Sequence, residues 1–482
     1  MANSRKSRSP NDPAEVTGAF ERALREFLAR VCVSASGPQA RQPDAPIDVG
    51  IAFSGGLDST VLLHLATHFQ GSPEGPPVRF HAFHVHHGLS PNAGAWEAHC
   101  AAVADRAGMP YASRKVTVSR DAGDGIEQAA RIARYAALGD LCRANGAGLL
   151  LTAHHQDDQA ETVLLQLLRG AGLRGLSGMA AFQPGRDLLG PRVALGRPLL
   201  EVGRAALEGV LADAGLVRVQ DESNHDTLFR RNAVRQAIAP VVEAHFPGFP
   251  ALLSRSASHA RAAATLLQDL AEIDHAACAA GEAGDTLAVL RLRQLSAPRF
   301  DNLLRYWLHR HGVQLPSTAR LTEIRDQMLG AEGDMHPFFN FDKLTLHRIA
   351  DRLELHRKLG DPPANPIRIE WHGEREIAVP PWRGRLRFEE TTGPALARES
   401  LLSRALILQP RAGQERLKLA LNRPSKPLKS LFQEAGVAPW RRAGSPLAYL
   451  DTELIFVAGL GMEARQLREG PGVVLGWLPD PA

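Results

Sequence analysis

Between Ile47 and Gly196 the chain alternates short, almost unbroken apolar runs with longer amphipathic ones. Ile47–Phe53, Arg79–Val85, Ala112–Val118 and Gly148–Ala153 read as strands. Thr60–Phe69, Trp96–Ala107, Ile126–Asn145 and Asp158–Leu168 read as the helices among them. A strand that is apolar along its whole length has to be covered on both faces, and parallel strands need helical crossovers. The pattern predicts an α/β domain with a doubly wound parallel sheet. Such sheets bind ligands outside the carboxyl ends of their strands, so chemistry is expected there.

Beyond about Leu199 the alternation stops. Pro198–Gly215, Asn232–His245, Ala251–Ala280 and Pro298–Gly312 read as helices, with Ala/Leu/Arg-rich faces that suit a bundle. The Pro-rich linker Asp361–Pro366 then leads into the β-like runs Ile367–Trp371, Arg385–Phe388, Leu447–Leu450 and Leu454–Val457. A chain of 482 residues predicts about three domains at roughly 100–200 residues each. The expected division is a polar extension and leading helix over 1–40, the strand–helix domain over 41–220, a helical domain over 221–360 and a small α/β domain over 361–482.

With 44% hydrophobic and 22% charged residues the chain is globular rather than disordered, and a net charge of +4 tilts it toward polyanions. Cys32, Cys100, Cys142 and Cys278 form no Cys-x-x-Cys, which argues against a zinc knuckle or an iron–sulfur site and fits reduced thiols. The polar start Met1–Pro13 is followed by no apolar core of a signal peptide, because Glu21, Arg22, Arg25, Glu26 and Arg30 interrupt Phe20–Val31. No apolar run reaches the ~18 residues of a membrane span. A cytoplasmic location is expected, with no membrane partner; the oligomeric state stays open, a homodimer included.

The most informative stretch is Ser54-Gly55-Gly56-Leu57-Asp58-Ser59-Thr60, where the first strand runs straight into a helix. Glycines let backbone N–H groups approach phosphate oxygens, and the helix start adds partial positive charge. The hydroxyls of Ser54, Ser59 and Thr60 offer further donors. Asp58 repels a bare phosphate, so its place here makes sense if a divalent cation bridges the two. The plain alternative is an ordinary capped turn. No Gly-Lys-Ser/Thr follows, so this is not the Walker lysine loop.

His81, His84, His86 and His87 cluster at the end of the second strand; zinc ligation and hydrogen bonding at a nucleotide pocket both account for them. His154-His155-Gln156-Asp157-Asp158-Gln159-Ala160-Glu161 ends the fourth strand and opens a helix. Asp158 and Glu161, three apart, share a helical face, which Asp157 nearly joins. Capping is one reading, and binding of magnesium or a substrate amine is the other. Arg131 and Arg134 share a face of the preceding helix, either for phosphate charge or simply solvated. Gln220–Asp226 and Arg230-Arg231-Asn232-Ala-Val-Arg235 form a third polar cluster.

The turn resembles the loop of the N-type ATP pyrophosphatases, whose Rossmann-like PP-loop fold splits ATP between its α and β phosphates. The ordered series is similar to the tRNA(Ile)-lysidine synthetase family: the turn, His84-Val-His-His-Gly-Leu-Ser90, Gly125-Ile-Glu-x-Ala-Ala-Arg131-x-x-Arg134-Tyr135, His154–Thr162, Arg197-Pro-Leu-Leu200 and Asp221-x-Ser-Asn…Arg231-Asn-x-x-Arg235. The likeness spans about 47–240 and a tail signature, Pro427–Trp440. Gln220 departs from it, standing where the family often has an acid.

The resemblance implies adenylation of the 2-carbonyl oxygen of the wobble cytidine in a CAU-anticodon isoleucine tRNA, then displacement of AMP by L-lysine. It implies ATP held by Ser54, Gly55, Gly56, Leu57, Asp58 and Ser59, and Mg2+ held by Asp58 and Asp158. Asp58, Asp158, Arg131 and Arg231 would be catalytic, and Glu161, His154 and Asp157 would meet lysine. The domain over 221–360 would contact tRNA, and the one over 361–482 would bind it through Lys426, Lys429, Arg441 and Arg442 around Trp440. The alternatives are another PP-loop enzyme adenylating a tRNA base, such as a thiolase, or a non-catalytic tRNA-binding protein. The absence of Cys-x-x-Cys argues against the first, and the full set of acids and loop residues against the second.

Overall fold

The computed structural model describes residues 13–34, 46–69, 71, 77–86, 88, 92–117, 126–185, 189–219, 230–280, 286–331, 335–358, 362–437, 441–442 and 444–480. Two compact units divide the chain, 1–267 and 268–482.

The first unit opens with α1 (Pro13–Ser34) and then alternates: β1 (Ile47–Ala52), α2 (Leu57–Thr67), β2 (Val78–His86), α3 (Ala93–Arg106), β3 (Tyr111–Lys115), α4 (Ile126–Ala144), β4 (Leu149–Leu151) and α5 (Gln156–Leu168). After α6 (Leu173–Leu176) come β5 (Phe182–Gln183), β6 (Ala194–Gly196) and α7 (Arg204–Asp213). The sheet order is β3-β2-β1-β4-β6-β5, parallel throughout except for β5 at one edge. From β1 the chain first builds outward through β2 and β3, then crosses back to place β4 on the other side of β1. The switch point is therefore the β1/β4 crevice.

Strand alternation sorts the cover. Val49, Ile51, Leu149 and Leu151 pack with Phe20, Leu24 and Phe27 of α1, with α2 and with Leu207 of α7. Phe83, Val85 and Leu150 face the opposite side, with Tyr135, Leu138 and Leu141 of α4. Gly50 is required by this packing, because a Cβ there would lie 2.5 Å from the Phe83 ring. The stretch expected to be helical from Pro198 is helical only from Arg204. Before it the chain turns, burying Leu199 and Leu200.

After α7 the described chain resumes at α8 (Arg230–Ala233), which passes through a π-helical turn, Val234–Ile238, into α9 (Ala239–His245) and then α10 (Phe249–Cys278). In the second unit, helices Ala297–Arg310 and Thr318–Gly330 pack Trp307, Leu321 and Ile324 against Leu346 and Leu353. Those leucines belong to a four-stranded antiparallel sheet, ordered 286–288, 352–357, 344–349, 338–340, which the helical reading of this stretch did not anticipate. Its strands are short, and three of the four carry a single buried residue each. The tail is mostly strands: a five-stranded and a three-stranded sheet enclose Trp371, Trp382, Phe388, Leu408 and Phe456.

Candidate active site

At the carboxyl end of β1, Gly55 adopts φ +81°, a conformation that favours glycine, and Gly56 caps α2 through its backbone. A Cβ on Gly55 would lie 2.9 Å from Cys100 Sγ. The hydroxyls split in function. Ser54 is exposed, with Oγ 3.0 Å from Ser59 Oγ. Ser59 and Thr60 are buried and donate to the Gly56 carbonyl at 3.1 and 2.8 Å, so they shape the turn rather than face a ligand. Leu57 is buried in the core, which leaves only its backbone for the loop.

Asp58 opens α2, and its Oδ1 is buried with no hydrogen-bond partner. Burial raises its carboxyl above the usual range, helped by the charge of Asp158 and opposed by His155. Across the switch point, at the end of β4, the fully buried His155 lies 3.7 Å from Asp58, 3.4 Å from Asp157 and 3.4 Å from Asp158. Burial would push its imidazole down; the three carboxylates outweigh it and raise it.

The three acids at the start of α5 divide. Asp157 Oδ2 accepts the Arg204 N–H at 2.9 Å and so caps α7, a structural bond that the lysine-contacting expectation did not include. Asp158 Oδ2 accepts the His155 N–H at 3.2 Å, while its Oδ1 accepts from Arg231 and Arg235 at 2.8 and 3.0 Å. Glu161 accepts from Arg231 at 2.8 Å and from Arg235 at 2.6 Å, which engages both of its oxygens. Burial pulls Asp158 upward, but His155 and Arg231 overcome it and hold the acid at about 2. The result is a neutral quartet of two carboxylates and two guanidiniums. Arg235, which the site expectation lacked, lies in the π-helical turn, an irregularity common at functional sites. Its four-residue spacing from Arg231 was the available signal.

His154, half-buried beside this quartet, accepts from or donates to Thr152 Oγ1 at 2.9 Å. Burial lowers its imidazole to about 3, with Arg197, Arg231 and Arg131 adding to the effect, so it is neutral at pH 7. Arg131 and Arg134 lie over the Tyr135 ring at 4.9 and 6.0 Å. Two histidines of β2 make structural bonds: His81 with Asp48 at 2.7 Å, and His84 with the Phe53 carbonyl at 2.9 Å. Among the described residues no group of three or more His, Cys, Asp and Glu could hold a metal ion. His87, Gly125, Gln220–Asp226, Asp361 and Trp440 lie outside the described residues.

In the second unit Lys429 and Arg441 are exposed. Lys426 pairs with Glu434 at 2.6 Å, and Arg442 donates to the Val437 carbonyl at 2.6 Å. No described helix is long and apolar enough to cross a membrane.

A parallel sheet carrying a Ser-Gly-Gly turn at its switch point defines a PP-loop domain, and the PP-loop domain model matches residues 27–242. The first unit therefore belongs to an ATP-using class. Models of the TilS substrate binding domain and the TilS substrate C-terminal domain match 287–354 and 406–477. A tRNA(Ile)-lysidine synthase from Ralstonia nicotianae is 43% identical over 89% of this chain and 92% of its own. One from Burkholderia pseudomallei is 40% identical over 94% and 96%. The chain belongs to the tRNA(Ile)-lysidine synthase family. A solved TilS C-terminal domain aligns over 24% of this chain and 100% of its own, with 15% identity and a TM-score of 0.20.

Proposed function

We propose that this chain ligates L-lysine to the 2-position of the wobble cytidine in a CAU-anticodon isoleucine tRNA, consuming ATP and releasing AMP and pyrophosphate. The observation that carries the reading is the pairing, across one crevice, of a glycine turn suited to phosphates with acids and arginines suited to a charged nucleophile and its adenylated target. The backbone of Ser54–Ser59 holds the ATP phosphates, with the Ser54 hydroxyl facing them.

The buried Oδ1 of Asp58, which has no hydrogen-bond partner and only the His155 ring 3.7 Å away, fits a cation, and magnesium typically takes one or two carboxylates plus phosphate oxygens and water. Bound there, magnesium would offset charge on the pyrophosphate leaving group. Asp158 joins it only by releasing one of its present bonds. Arg131 and Arg231 stabilise the α-phosphate and the adenylate. The neutral His154 accepts a hydrogen bond from the incoming amine, whose proton passes to water before attack; Asp158 and Glu161 meet that amine only by giving up an arginine partner, while Asp157 fixes the acidic helix against α7. Residues 268–360 and 361–482, the second unit, hold the tRNA, with Lys429 and Arg441 meeting backbone phosphates and Lys426 and Arg442 beside them.

The test is transfer of radiolabelled lysine to a minor isoleucine tRNA transcript, with ATP and magnesium, beside the CAU-anticodon methionine tRNA. Labelling of the first alone is expected. AMP release without label would retain adenylation but refute lysine as the nucleophile. Asp58→Ala should abolish tRNA-dependent ATP–pyrophosphate exchange; full exchange in that variant would remove the metal assignment.

A further inference from the structure

One cation near the site takes no part in the carboxylate quartet. Arg197 directly follows β6, whose Gly196 pairs with Leu151 of β4, so it stands one strand over from Thr152 and His154. Neighbouring strands lie about 4.8 Å apart, which places Arg197 at the rim of the same crevice. It is only 4% exposed. Its Nη1 donates to the Ala180 carbonyl at 2.7 Å, and the Tyr135 side chain is a second hydrogen-bond partner. Its Nε is buried with no partner at all. Among the described residues no carboxylate pairs with it, and Arg131, on the face of α4 that stacks over Tyr135, adds a second positive charge nearby.

A buried guanidinium without a counter-anion is costly, whereas a planar fork met by a carboxylate is among the strongest pairings available to it. The anions at hand are phosphates and the carboxylate of the amino-acid substrate. Phosphates already have the glycine turn and the α2 N-terminus at the end of β1. An extended amino acid whose amine reaches the acidic side of the crevice leaves its carboxylate to be met elsewhere. We propose that Arg197, backed by Tyr135 and Arg131, binds the α-carboxylate of the incoming amino acid and so sets selectivity at the end of that substrate opposite the reacting amine. This rests on the reading of lysine as second substrate.

The experiment compares lysine with lysinamide, in which a neutral amide replaces the carboxylate, using the full chain, ATP and the isoleucine transcript. The wild-type protein should prefer lysine. Arg197→Gln should raise KM for lysine by about 10- to 100-fold, the factor for losing a charge-assisted hydrogen-bond pair. KM for lysinamide, ATP and tRNA should stay within about twofold, and Arg197→Lys should recover part of the preference. A purely structural role would lower kcat for both amines and leave their ratio intact, which would overturn the proposal. So would a rise in KM for ATP or tRNA in place of lysine, since the anion would then be a phosphate. Should Arg197→Gln not fold, a wild-type protein that treats lysine and lysinamide alike would still refute the assignment. If the wild-type protein incorporates no lysine, the functional reading itself fails, an outcome distinct from an unchanged preference in the variant.

Discussion

Glu161→Gln keeps the outline of α5 and deletes one of the two negative charges that balance Arg231 and Arg235. The side chain of Glu161 is 6% exposed, while those of Arg231 and Arg235 are 27% and 33% exposed. Breaking one side of a fully buried pair costs about 3–5 kcal/mol, and an exposed pair contributes about 0–1 kcal/mol. Here the guanidiniums regain some hydration, and the amide oxygen still accepts a bond. The expected loss is therefore intermediate, about 2–3 kcal/mol. At roughly 2–4 °C per kcal/mol for a unit of this size, melting of the first unit should fall by about 4–12 °C. Hydrogen exchange read on peptides covering 149–168 and 230–245 would locate the loss. The double variant Glu161→Gln/Arg235→Gln restores charge balance, so its loss should be smaller than the two single losses combined by at least about 1 kcal/mol. Additivity within about 0.5 kcal/mol would show that the charges are not coupled, and the reasoning would fail.

Gly55→Ala should destabilise the first unit by about 1–2 kcal/mol from its positive φ, with a further loss from the contact to Cys100. Placed on a Cys100→Ala background, the same change should cost about 1 kcal/mol less in urea unfolding; an equal cost would mean that the sulfur is not the obstacle. In the second unit, burial pushes the His347 imidazole down from 6.5 to about 4, with His356 adding to the shift. A depressed histidine favours the folded state above its unfolded value. Stability of this unit should therefore fall as pH drops from about 6.5 to about 4, by at most about 3 kcal/mol, and level off below that. His347→Gln should flatten the slope across that window; an unchanged slope would assign it to another group.

The alternation of apolar strands and amphipathic helices was enough to give the parallel sheet, because burial on both faces leaves its mark on every residue of a strand. The Ser54–Ser59 turn was legible for a similar reason: a strand that runs straight into a helix through a positive φ needs glycine at a fixed place in a local stretch of backbone. The four-stranded sheet over 286–357 was less visible, since each strand is three to six residues long and draws its stability from packing under Trp307 rather than from its own composition.

In the site, residue types alone suggested that acids at the start of α5 would serve a ligand. Asp157, Asp158 and Glu161 carry like charges within the first two turns of one helix, and nothing in their spacing distinguishes a helix cap from a ligand group. Only the tertiary structure made that division, bringing the Arg204 N–H to Asp157, and Arg231 and Arg235 to Asp158 and Glu161 across about 70 residues of sequence. It also left Asp58 Oδ1 and Arg197 Nε among the buried atoms without hydrogen-bond partners. Sequence determines which charges exist and which lie on a common face. Which charges neutralise one another, and which remain for a ligand, depends on distances of a few ångströms between elements far apart in the chain, and folding alone sets those distances.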